Sequence, residues 1–289
     1  MRRALRIAAL GAAAAAALGF PAVAVVPSAT VKPVRIMSMN LCTDMLVLQL
    51  VPKARIASVT YLAHDGALAL FPGADAGIPL NHGTAEEIIT QRPDLILAGD
   101  YSTALTRRLA KEVGAPIIEV KTAVTFDDIR QILRQVGAAV GEPERAEAMV
   151  RRMDATLAGL AAHPRKRPLR VVAWSGGDSV PGRDSISNAI IEAAGAVNIA
   201  AKPGSTYSTF DAEQLLVAQP EALLYGGGGP VHPSLRTEDG QHRIVRRLYG
   251  DRRIAFNDVA HNCGLPQSAQ SAYDLRQAFD ALPEQRAHP

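Results

Sequence analysis

Apolar residues along this chain fall into two rhythms. Short runs of four or five predict strands, and spacings of three and four predict amphipathic helices between them. Arg35–Met39, Ile56–Thr60, Leu95–Ala98, Pro116–Val120, Val171–Trp174 and Ile254–Phe256 read as strands. Asp44–Leu50, a stretch from about Ser102 to Val113, Asp127–Val140, Ser185–Ala194, Gln241–Tyr249 and Ser268–Leu282 read as helices. Thr43 or Asp44 suits the N-cap of the first helix, because a side-chain oxygen there accepts from an otherwise unpaired N–H. Tyr61–Pro79, Ser175–Arg183 and His261–Pro266 read as loops.

One stretch occurs twice. Thr84–Gly99 (TAEEIITQRPDLILAG) aligns without gaps on Asp211–Gly226 (DAEQLLVAQPEALLYG), with Ala85/Ala212, Glu86/Glu213, Pro93/Pro220, Leu97/Leu224 and Gly99/Gly226 identical. Each copy predicts a short helix stopped before a proline, which disfavours the helical conformation of the residue preceding it, then an apolar strand and a glycine turn. Pro33–Asn40 (PVRIMSMN) is echoed by Pro168–Ser175 (PLRVVAWS), in the same order relative to the first pair. A spacing of 127 residues (84 to 211) is too long for a solenoid repeat and suits a doubled domain.

Between the echoes lies Glu142–Ala162. Pro143 fits the first helical position, and Ala146, Met149, Val150, Met153, Leu157 and Leu160 recur at helical spacing. It is either a surface helix of the first half or a helix joining two halves; we favour the second. The expected architecture is two α/β lobes with mainly parallel sheets, residues 34–141 and 168–289, joined by one long helix over 142–163. In such sheets, ligand loops gather at the C-terminal ends of the strands.

Composition adds an address. Arg2, Arg3 and Arg6, the apolar run Ile7–Phe20 and Ala22-Val-Ala24 have the order of a secretory signal peptide, residues 1–24. Those three arginines account for the whole formal charge of +3, since residues 1–24 hold no acid, so the basic balance is no sign of nucleic-acid binding. The arginines around 243–253 read as a solvated face without an aromatic platform. Cys42 and Cys263 are the only cysteines. Export permits a bridge between the halves, yet a bridge across a mobile cleft would be unusual, and free thiols or thiols near a ligand remain alternatives.

The paired segments, together with Ser185–Ala200 (SISNAIIEAAGAVNIA), resemble the periplasmic solute-binding proteins of ABC importers, in the class that handles vitamin B12, haem and iron–siderophores. The resemblance spans about Val34 to Leu282 and implies two Rossmann-like lobes around a stiff helix. It further implies a monomeric, non-enzymatic periplasmic protein with no cofactor of its own. Its expected partners are a small metal chelate or corrinoid and a permease dimer with its ATPase. By position in the motif, Glu86 and Glu213 would dock onto the permease. Read by itself, each carboxylate could equally just favour the first turn of its helix through the dipole.

Candidate ligand residues are the polar and aromatic side chains at strand ends, since a binding site needs concavity and a few placed groups. They are Asn40, Cys42, Thr43, Tyr61, His64, His82, Asp100 and Tyr101 in the first half. The second half supplies Trp174, Ser175, Arg183, Tyr207, Tyr225, His261 and Cys263. Tyr61 and Tyr207 match positions where vitamin B12-binding members have aromatics. A bare transition metal is an alternative ligand, although no H-x-x-x-H or C-x-x-C spacing occurs. Gly177-Asp-Ser179 resembles a motif of some secreted esterases, but there is no G-x-S-x-G elbow.

Overall fold

The computed structural model describes residues 32–100, 103–227 and 242–283. The signal segment and Tyr101 lie outside them. Five parallel strands form the first sheet: β1 (Ile36–Ser38), β2 (Ile56–Thr60), β3 (Leu80–Asn81), β4 (Leu95–Gly99) and β5 (Ile117–Val120), in the order β3-β2-β1-β4-β5. Four more make a second parallel sheet, β11-β10-β6-β8, from β6 (Leu169–Ala173), β8 (Ala196–Asn198), β10 (Ala222–Gly227) and β11 (Arg253–Asn257). A small antiparallel pair, β7 (Ser179–Pro181) with β9 (Tyr207–Thr209), occupies part of the stretch expected to be loop.

The doubling is visible in the topology. The two copies of the repeated stretch become α3 (Ala85–Gln91) with β4, and α8 (Ala212–Ala218) with β10. Pro33–Asn40 and its echo Pro168–Ser175 supply β1 and β6. In each sheet the repeated strand lies beside its lobe's opening strand, with β5 or β11 on its other side. Both helices end on a left-handed residue, Arg92 (φ 45°) and Gln219 (φ 43°), the only non-glycine residues of positive φ among those described. That turn redirects the chain into the proline and strand that follow.

The long helix α6 (Pro143–Ala162) has 20 residues, or about 30 Å of axis. Its buried face is Ala146, Met149, Val150, Met153 and Leu160. On one side it meets α5 (Phe126–Ala139), where a Cβ on Gly137 would overlap that of Ala146. On the other it meets α7 (Ile186–Ala193) and the closing helix α11 (Gln267–Asp280). One apolar cluster therefore runs unbroken from Leu133 and Val136 through Met149 and Met153 to Ile190, Leu275 and Phe279. Each sheet has a second, outer layer, around Ile88 and Ile96 in one lobe and Trp174 and Leu215 in the other.

Three local expectations need correcting. Helix α1 (Leu41–Leu50) begins earlier than expected, capped by Asn40, whose Oδ1 accepts from the Thr43 N–H at 2.9 Å. Tyr61–Pro79 contains a helix, α2 (Ala63–Leu70), whose buried face is Ala63, Gly66 and Ala67. Small residues at i, i+3 and i+4 let it approach α1 closely and carry little hydrophobic signal. His261 and Cys263 are helical too, in α10 (Asp258–Cys263), which follows α9 (Arg243–Tyr249) and β11. Asn257 caps α10 by accepting from the Ala260 N–H at 3.1 Å.

Candidate functional site

In the first sheet the chain winds one way from β1 to β3 and the other way from β4 to β5. The loops after β1 and β4 therefore diverge and leave a crevice between them. A cavity of about 460 Å³ fills that crevice. Its wall is Met39–Thr43 after β1, Ala98–Asp100 at the C-terminal end of β4 and Lys121–Thr122 after β5, with Asn262 and Cys263 of α10 reaching in from the second lobe. Leu41, Leu46, Leu62, Val120 and Ile132 make most of the surface apolar. A Cβ at Gly99 would lie 2.8 Å from Asn40 Nδ2, so a larger residue there would push against the side chain that caps α1.

Beneath the wall lies a buried polar layer. The Thr43 hydroxyl shares a hydrogen bond with Ser38 Oγ at 2.7 Å and donates to the Asn40 carbonyl at 3.0 Å. The Asp44 carboxylate accepts from both the backbone N–H (3.1 Å) and the hydroxyl of Thr60. Asn81 donates to the Ser38 carbonyl at 2.9 Å and to Ser58 Oγ at 2.8 Å. The ends of β1, β2 and β3 are thus tied together by satisfied polar groups, which fixes the floor on which the cavity loops stand.

Cys42 and Cys263 are joined in a disulfide with their Cα atoms 5.0 Å apart. The sequence left their state open, and the bridge decides it. Neither is a thiol, and the pair forms a covalent stretch of the cavity wall between the lobes.

A two-lobed α/β frame with a cavity at the switch point matches known proteins. The family described as periplasmic binding protein matches residues 73–247. The chain belongs to that family. Its fold is shared with a periplasmic haem-binding protein of Roseiflexus sp. RS-1 in apo form (25% identity, 86% of this chain and 99% of that one, TM-score 0.69). The periplasmic vitamin B12-binding protein of Vibrio cholerae is similar (19%, 88% and 99%, TM-score 0.65). So is a protein of an ABC-type ferric hydroxamate transport system of Saccharomonospora viridis (20%, 86% and 94%, TM-score 0.62). Solute-binding proteins of this kind are non-enzymatic components of transport and work in the periplasm.

In this binding protein the structure gathers some of the expected residues and separates others. Asn40, Cys42, Thr43, Asp100 and Cys263 meet at the cavity. Tyr61, 54% exposed, stacks on His82 with ring centroids 5.7 Å apart, beside Leu62 of the wall. Tyr207, on β9, is 67% exposed, and Arg183 is exposed as well. His64 lies instead in a separate hollow, paired with Asp75 at 2.9 Å, a hydrogen bond that raises its pKa above the ordinary histidine value. The half-buried Tyr225 ring is covered by the Arg253 guanidinium at 4.7 Å. Ser175 Oγ accepts from the Gly226 N–H at 2.9 Å. Lys121, Thr122 and Asn262 were not anticipated. The first two directly follow a predicted strand, and the strand-end rule would have found them.

Two expected ligand residues are core residues. Trp174 is buried and donates its indole N–H to the Gly177 carbonyl at 2.8 Å. It shares strand parity with Val172, which faces the outer layer of the second lobe. His261 is 2% exposed, stacked on Phe256 with centroids 4.0 Å apart, and held by Ser187 at Nδ1 (2.9 Å) and Ser271 at Nε2 (3.0 Å). Among the described residues, no cluster of three or more His, Cys, Asp or Glu is placed to hold a metal ion.

Burial moves two of these groups in opposite directions. It raises the Asp44 carboxyl from 3.8 to about 6 and pushes the His261 imidazole from 6.5 down to about 3. Asp44 therefore adds stability that is complete below about pH 4 and is lost as pH rises through 6. His261 adds stability that is complete above pH 6.5 and is lost as pH falls toward 3. The two largely offset between about pH 6 and 5; below that, glutamates held low in the fold, Glu221 by Arg167, Glu142 by Lys32 and Arg55, and Glu147 by Arg134, add a further loss as pH falls. We expect the urea-unfolding free energy to be nearly flat over that interval. In Asp44→Asn, with His261 no longer offset, it should fall by about 1.4 kcal/mol over that one pH unit. A flat profile in the variant as well would show that His261 is not buried neutral.

Proposed function

We propose that this protein captures an iron–siderophore, a cobalamin-like corrinoid or haem between its lobes and delivers it to the permease dimer of an ABC importer driven by its ATPase. The observation that carries the reading is the largely apolar cavity of about 460 Å³ at the switch point, built from both lobes and flanked by the exposed Tyr61–His82 stack. Its volume is in the usual range for small-molecule sites, and flat exposed rings suit a bulky chelate better than a bare ion. Residues 1–24 act as an export signal. The segments 34–141 and 168–289 act as stiff lobes on the helix over 142–163, so closure is a small rocking motion. Glu86 and Glu213 present the loaded protein, as a monomer, to the permease.

Native mass spectrometry and a visible spectrum of protein isolated from its own periplasm identify the ligand directly, since haem, a corrinoid and a ferric chelate absorb differently. Titration with haemin, cyanocobalamin and ferrichrome should find one tight ligand. Tyr61→Ala with Tyr207→Ala should then weaken it roughly tenfold to a hundredfold, at 0.5–1.5 kcal/mol or more for each lost ring contact. Unchanged affinity in the double variant would move the ligand away from both rings.

A further inference from the structure

We infer that the permease-facing surface contains a matched aliphatic pair, Ile89 and Leu216, beside the two carboxylates, and that the partner offers each lobe a cationic group next to an apolar hollow. This rests on the docking role proposed for Glu86 and Glu213. In the gapless alignment of the two stretches Ile89 corresponds to Leu216, three residues after Glu86 and Glu213 respectively. A spacing of i, i+3 puts each aliphatic side chain beside its carboxylate on one helix face.

Both are exposed to nearly the same degree, 46% for Ile89 and 43% for Leu216. Neither is needed by its lobe, because the preceding residues, Ile88 and Leu215, fill the core and are fully buried. A single exposed aliphatic residue calls for no explanation. An aliphatic residue at the equivalent position of two helices, each next to an exposed acid, repeats an epitope rather than a scatter of side chains. Val217, more exposed still, corresponds to Thr90 and breaks the repeat.

A two-part epitope occurring twice fits a partner that itself has two related halves. Such a partner is the permease dimer of the importer, at its exposed end. The division of labour follows from the chemistry. Charge pairs act over distance and set approach and orientation, whereas apolar contact acts only once the surfaces meet and governs how long they stay together.

The test compares two double variants, each bound to the importer complex of the same organism in nanodiscs. Ile89→Ser with Leu216→Ser should raise the dissociation rate about tenfold or more, leave the salt dependence of association unchanged, and spare ligand affinity and thermal stability. Glu86→Ala with Glu213→Ala should instead slow association and flatten its salt dependence. If the aliphatic variant dissociates like the unaltered protein while the carboxylate variant fails to bind, this inference falls and the docking role stands. If neither variant alters binding, the docking role falls and takes the inference with it.

Discussion

Replacing Glu86 and Glu213 together by alanine is expected to abolish delivery of ligand to the importer while leaving ligand affinity unchanged. Both residues are exposed in the first turns of α3 and α8, and neither is among the residues that line the cavity. The caps of these helices are made by other groups. Glu87 accepts from the Thr84 N–H at 3.0 Å and from the His82 N–H. Asp211 and Gln214 bond reciprocally, at 2.8 and 3.1 Å. Among the described residues neither Glu86 nor Glu213 makes a hydrogen bond or an ion pair, so their removal leaves no buried partner unsatisfied. The loss should be steeper than additive, because one remaining charge no longer fixes orientation on a two-sided partner. Uptake into proteoliposomes containing the permease and its ATPase measures delivery, and ligand titration of the same preparations measures affinity. Lost affinity with intact transport would reverse the assignment.

Removing the Cys42–Cys263 bridge, by serine at both positions or by reduction, is expected to cost about 2–5 kcal/mol of stability. The bridge closes a loop of 221 residues, so it constrains the unfolded chain strongly. At this size the loss corresponds to a fall in melting temperature of roughly 5–15 °C. Without it the lobes stay joined by α6 and by a few side-chain contacts at the same boundary. Asn257 donates to the Ala69 carbonyl at 3.0 Å, and Gln267 to Gln49 at 2.6 Å. Gly264 sits against Ala123, where any Cβ would overlap the Ala123 methyl. These contacts place the bridge beside the shared core, where the lobes would move least in the small rocking motion proposed above, so the bridge is compatible with that motion. Calorimetry of the oxidised protein, the reduced protein and the double serine variant measures the effect. Coincident melting curves would mean that the bridge constrains nothing the other contacts do not already hold.

The doubled architecture was legible because its signals are local. A capped helix, a proline and an apolar strand recur in the two stretches of sequence, and each part is set by backbone chemistry within a few residues. The twenty-residue helix was legible for the same reason, its apolar spacing and Pro143 being sufficient. The site was legible only in outline. The strand-end rule put Asn40, Cys42, Thr43 and Asp100 near one another, but a rule about backbone position says nothing about which way a side chain turns.

That limit accounts for the corrections. Trp174 follows a strand and yet faces the core, because the sheet's alternation, set by the neighbours of Val172, decides its direction. His261 turns between Ser187 and Ser271, residues 74 and 10 positions away, which meet only when α10 packs against α7 and α11. Helix α2 forms from small residues whose value appears only once α1 lies against them. The sequence by itself determined two α/β halves, their joining helix and the acids at equivalent positions on each, since nearest-neighbour chemistry sets all of these. Tertiary structure alone decided whether the two thiols pair, which aromatics face solvent and where the cavity closes, because each depends on contacts between residues far apart in the chain.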